Sequence, residues 1–182
     1  MFNYRLRTAP TSVKVMVAGY LLALGLAYIY ALANIALVIG WTPRDIAVHY
    51  YGAAEVVKSE QAAPVGEESF SLDEIETQPT EPVIGIRPSF KNLVQEGHFH
   101  LFGMTSFFFG LTVFGLFTGV RERTKCILVG APYIAVIFDN LSFMATRFLG
   151  PQFAYLTAIA GGFMGICFAA LWLVIGYEIL KK

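Results

Sequence analysis

Four apolar stretches, each long enough to cross a bilayer, constrain this chain more than any other feature: residues 15–41, 99–120, 126–148 and 153–180. Spanning the hydrocarbon takes about 20 residues of helix. Of the 182 residues, 56% are hydrophobic and 14% charged, the latter about half the share usual in a soluble domain. A soluble fold of this size has too little interior for that much apolar surface, so the bilayer is the natural solvent. In lipid the backbone must satisfy its own hydrogen bonds. The fold predicted is therefore all-α: a four-helix transmembrane bundle forming one membrane domain over 1–182. A long acidic loop, 42–97, leaves the bundle on one side. Trp41, Tyr50 and Tyr51 mark one interface, and Trp172 and Tyr177 mark the other.

Net charge is zero, but its distribution is not. Arg5, Arg7, Lys14, Arg121, Arg123, Lys125, Lys181 and Lys182 fall on one side of the spans, and with Glu122 and Glu178 leave +6 there. The 42–97 loop carries ten carboxylates against four cations, or −6. Basic flanks face the cytoplasm, so both termini are expected inside and the acidic loop outside. Ala31-Leu32-Ala33 has the small-x-small look of a signal cleavage site, but the apolar run continues to Ile39 and reads as a retained helix. Cys126 and Cys167 both lie away from the outer face, so no disulfide is expected.

Small residues recur at four-residue spacing: Gly19, Ala23, Ala27 and Ala31 in the first span, Gly103, Ser106 and Gly110 in the second, Ala131 and Ala135 in the third, Gly161, Gly165 and Ala169 in the fourth. Such stripes let helices approach closely in lipid, and a tight bundle is expected from them. Pro132 lies in the first turns of span three, where it is tolerated or kinks the helix modestly. Thr42-Pro43-Arg44-Asp45 is a helix start, with a Thr cap, Pro at the first helical position and an acid at the third. It predicts a short interfacial helix from about Pro43 to Tyr51, with Ile46, His49 and Tyr50 on one face and Gly52 either ending that face or interrupting it. Ser59 to Glu81 reads as irregular, and Pro82 to Pro88 as extended. Ser89 is placed to cap a helix, with Phe90, Leu93 and Val94 on its apolar side, that runs directly into span two.

All three histidines, His49, His98 and His100, belong to the acidic side. They are the candidate cofactor residues, because imidazole ligates haem iron and copper. His98, His100 and Met104 form a candidate metal set. On a regular helix, however, residues two apart point about 200° from each other, so one histidine faces the bundle and the other a neighbour or the lipid. His98 aligns with Thr105 and Thr112, and His100 with Glu96 and Met104. Spans one, three and four lack histidine, which excludes two stacked bis-histidine haems. The sequence remains compatible with one haem b or a copper near the surface, using His98 or His100 opposite His49 or Met144, and equally with no cofactor. Asp139 is the sharpest single residue, since a carboxylate at membrane depth costs about 3 kcal/mol unless partnered. Counting depth from the span ends places Asn34, Thr105, Ser106, Asp139 and Thr157 in one polar layer, with Arg147 two turns further out. Asn34, Arg147 or a hydroxyl is the partner expected for Asp139. The layer serves either as glue between helices or in a proton, quinone or cofactor role.

The His98-x-His100-x-Phe102-Gly103-Met104 opening of span two and the Thr146-Arg147-Phe148-Leu149-Gly150-Pro151 turn resemble those of small bacterial four-helix membrane proteins. The resemblance covers the second half of the chain. It implies a bacterial inner membrane and the four-helix architecture, and it carries no activity. No phosphate loop, CxxC pair, nucleophile elbow or basic cluster for nucleic acid is present. The reading is a non-catalytic subunit of a larger electron-transferring membrane complex, whose acidic loop docks other membrane or periplasmic subunits. The alternatives are a self-contained haem b or copper protein acting on quinol, and a small transporter or assembly factor.

Overall fold

The computed structural model describes residues 5–54, 56–57 and 88–181, and among these it is helical without strands. The segments read above as irregular and extended, and with them most of the acidic loop, lie outside the described residues. Four helices are long and apolar enough to cross a membrane.

α1 runs Thr11–Asn34 and continues through a π-helical turn, Ile35–Ile39. At Gly40 the backbone reaches φ +94°, and a Cβ there would collide with the Asp45 side chain. A glycine is therefore needed where the chain turns onto α2, Pro43–Tyr51. The start of α2 is the one its sequence announces. Thr42 Oγ1 accepts from the Asp45 N–H at 3.1 Å, and the Asp45 carboxylate accepts from the Thr42 N–H at 3.0 Å. Gly52, at φ +107°, ends the helix. α3, Phe90–Leu116, begins at Ser89, whose Oγ accepts from the Asn92 N–H at 3.2 Å. It runs unbroken into the second span, as expected. α4, Glu122–Phe148, carries Pro132 in its interior, and α5, Ala154–Leu180, follows a tight turn through Gly150.

α4 packs chiefly on α5 and α3, while α2 folds back over α4 and α5. Two apolar cores result. One, built from Val17, Leu21, Phe108, Leu111, Val136, Phe168, Leu171 and Ile175, fills the half of the bundle toward the termini. The other lies under α2 and joins Ile46, Ala47 and Tyr50 to Leu93, Phe143 and Ala154. The packed face of α2 is thus Ile46, Ala47 and Tyr50, with His49 displaced to its flank. Of the three residues expected on the apolar side at the start of α3, Leu93 is buried, whereas Phe90 and Val94 are exposed.

α1 sits at the rim. It holds to α5 by the Trp172 indole donating to the Leu21 carbonyl (2.9 Å) and by Tyr28 stacked on Phe168 at 4.3 Å. It holds to α3 by the Tyr20 hydroxyl donating to the Phe107 carbonyl at 3.2 Å. These large side chains set its contact face, so its small-residue stripe is displaced. Gly19, Ala23, Ala27 and Ala31 are all exposed on the outside of the bundle, contrary to the expectation that they pack it. The stripe of α5 is partly used: Gly161 faces the Asp139 carboxylate and Gly165 the Tyr28 hydroxyl.

Candidate functional site

The polar groups of the bundle gather at the end covered by α2, around Phe143. This ring is 3% exposed, stacks under Tyr50 at 5.4 Å and meets His100 edge-on at 6.3 Å. On one side of it the Tyr50 hydroxyl donates to Glu96 at 3.0 Å. On the other, His100 Nε2 and Asp139 Oδ2 are 2.8 Å apart. Glu96 and His100 lie one turn apart on α3 and face α4 together. Asp139 is 7% exposed, and its second oxygen lies over Gly161, where an added Cβ would stand 3.6 Å away. The absent side chain on α5 makes room for the carboxylate.

The expected partner of Asp139 is corrected by this geometry. His100 holds it, whereas Asn34, Thr105 and Ser106 are exposed on the outside of the bundle. The polar layer counted from span ends is therefore not one buried layer. α3 begins at Phe90 and stands above α4 further than span counting allows, which moves the register of the two helices. Asp139 meets His100, the Asn140 amide donates to the Gly97 carbonyl at 3.0 Å, and Arg147 donates to the Pro88 carbonyl at 3.3 Å. His100 thus stands where counting placed Thr105, five residues or about 7.5 Å of helix away. Besides Asp139, Thr157 is the member of the layer that pairs, with Thr146 at 3.1 Å.

The three histidines are held in different settings. His98 is exposed beside Phe99 and Phe102. His49 stands edge-on to Tyr50, at 4.7 Å between rings. His100 is bound to Asp139, and Met104 packs against the apolar core. Because α3 is regular here, His98 and His100 diverge, and His98, His100 and Met104 do not form one ligand set. Among the described residues no three His, Cys, Asp or Glu side chains are grouped to hold a metal ion. Sequence reading missed Asn140, Phe143 and the Tyr50–Glu96 bond. The Glu96–His100 spacing was the one signal that could have found part of this cluster.

Chemically, the His100–Asp139 pair is an imidazole oriented by a carboxylate at membrane depth, the two side chains held together by one short hydrogen bond. Beside it, burial and the neighbouring Glu96 carboxylate push the Tyr50 phenol far above its ordinary range, so it serves as a hydrogen-bond donor. Burial holds His49 below its ordinary value of 6.5, with Glu96 pulling partly back. An unfolded chain then takes up the His49 proton before the folded one does. Stability is complete above about pH 6.5 and falls as the pH drops from there through the lower folded value. Thermal unfolding in detergent from pH 7.5 to 5 should show this loss, and His49→Gln should flatten it. A slope identical in both proteins would refute the assignment.

Comparison with known proteins adds one finding. No curated protein and no solved structure matches the chain. A family model described as a transmembrane helical domain matches residues 40–182, which takes in α2 to α5 and leaves out α1. That match covers most of the chain, and with the four bilayer-length helices it makes this a multi-pass membrane protein, a member of the Aq_1264_TM family of transmembrane helical domains.

Proposed function

We propose that the chain is a non-catalytic subunit of a larger membrane complex that transfers electrons. The observation that carries this reading is the outside of the bundle. Asn34, Thr105 and Ser106 are exposed on helices that cross the bilayer, and Gly103 and Gly162 present open backbone there. Polar groups facing acyl chains are costly, whereas a neighbouring helix can satisfy them and pack closely on glycine. The electron-handling part is supported by the His100–Asp139 pair and its Tyr50–Glu96 neighbour, a part-buried hydrogen-bonded cluster suited to a quinol or to a cofactor held by a partner. The separate settings of His49, His98 and His100 favour this over a self-contained haem b or copper carrier. The acidic 42–97 loop is suited to docking a basic subunit. The basic flanks favour cytoplasmic termini, in the bacterial inner membrane that the resemblance implies, and an impermeant thiol reagent reaching Glu74→Cys but not Lys181→Cys in intact cells would support that orientation.

The test is purification in mild detergent with a reduced-minus-oxidised spectrum. Wild type should co-isolate with redox-active membrane proteins. Gly103→Leu should release them while the isolated bundle melts as before, because a Cβ at Gly103 meets nothing within 4 Å. A wild-type monomer carrying its own haem or copper spectrum would overturn the reading.

A further inference from the structure

At the opposite end of the bundle, an open cleft of about 420 Å³ runs between the N-terminal turn Leu6–Thr8, the α3–α4 loop and the end of α5. Its rim carries three cations, Arg5, Arg7 and Lys181. The N-terminal turn is fixed in place. Leu6, between the two arginines, is 1% exposed, and its N–H donates to the Phe117 carbonyl at 3.0 Å. Both arginines are thereby set on the surface side of an anchored residue. Lys181 lies over the Tyr177 ring at 5.3 Å. Among the described residues of the lining, Glu178 is the one carboxylate; it is buried and accepts from the Gly119 N–H at 3.1 Å. Below the cations, Leu173 and Tyr177 are exposed along α5. The cleft therefore offers positive charge at one level and apolar surface, continuous with the bilayer-crossing part of α5, at the next.

We infer that this cleft binds an anionic phospholipid, its phosphodiester held by Arg5, Arg7 and Lys181 and its acyl chains laid along Leu173 and Tyr177. Guanidinium groups match phosphate oxygens in pairs, and basic pockets between helices at an interface select anionic headgroups. A soluble phosphate would use the cations but not the apolar wall, which separates the two sources of the same chemistry.

The test is native mass spectrometry of the full chain, released from mild detergent after addition of phosphatidylglycerol, phosphatidylcholine or inorganic phosphate. Phosphatidylglycerol should be retained on wild type in preference to phosphatidylcholine. Arg5→Gln/Arg7→Gln should weaken that retention about twenty-five-fold, from roughly fivefold per cation. Lys181→Gln alone should weaken it about fivefold, and gives a second reading if the double variant fails to fold. Arg121→Gln/Arg123→Gln, with the same change of charge at the same end of the bundle but outside the cleft lining, should leave it unchanged. Equal retention of both lipids, equal loss in the control variant, or displacement of the lipid by inorganic phosphate would each overturn the assignment.

Discussion

Replacing His100 by Leu should destabilise the bundle by about 3 kcal/mol, the cost of leaving a buried carboxylate without its partner. Asp139 is nearly enclosed, with His100 as its side-chain hydrogen-bond partner among the described residues. Neither Asn34 nor a nearby hydroxyl of α3 is placed to take over. Asp139→Asn keeps the shape and an acceptor oxygen, and should cost only about 1 kcal/mol. The double variant His100→Leu/Asp139→Leu removes both polar groups and should lie closer to wild type than His100→Leu alone. His98→Leu, two residues away on the exposed side of α3, should change little. Reversible unfolding in mild detergent measures all four, and the single variant Asp139→Leu closes the cycle that isolates the coupling. Equal effects of His98→Leu and His100→Leu would show that the pair contributes no stability.

Truncating Phe143 should be felt at a distance from it in sequence. Phe143→Ala opens a cavity under α2 and is expected to cost about 3 kcal/mol. The ring is the floor on which Tyr50 stacks and the wall against which His100 stands. With it gone, α2 keeps its cap at Thr42 but loses the surface that holds it down. Amide hydrogen exchange over Pro43–Tyr51 should therefore accelerate while the four long helices remain protected. Phe143→Leu fills most of the space and should cost under about 1.5 kcal/mol. Unchanged exchange in α2 for Phe143→Ala would mean that α2 is held by Ile46 and Ala47 alone.

The two sites differ in what they ask of the fold. The His100–Asp139 pair depends on one glycine of α5, Gly161, for the room its carboxylate occupies. The cleft at the terminal end depends on Leu6, which fixes two otherwise mobile arginines by burying the residue between them. In both, an apolar or absent side chain positions the charged one.

The amino-acid sequence alone determined the features set by local chemistry. Four apolar stretches of bilayer length required four helices, because an unpaired backbone is not tolerated in lipid. Thr42, Pro43 and Asp45 specified where α2 begins, through hydrogen bonds spanning only a few residues. Ser89 marked the start of α3 in the same way. Only the tertiary structure decided which faces meet. A stripe such as Gly19 to Ala31 permits close packing without saying against what, and Tyr20, Tyr28 and Trp172 turned it outward. Depth counting assumed that span ends are level, but α3 rises above α4, and that offset exchanged Thr105 for His100 opposite Asp139. The register of two helices is a long-range property, fixed by how Gly97, Asn140 and Phe143 interlock rather than by any residue's own neighbours in the chain.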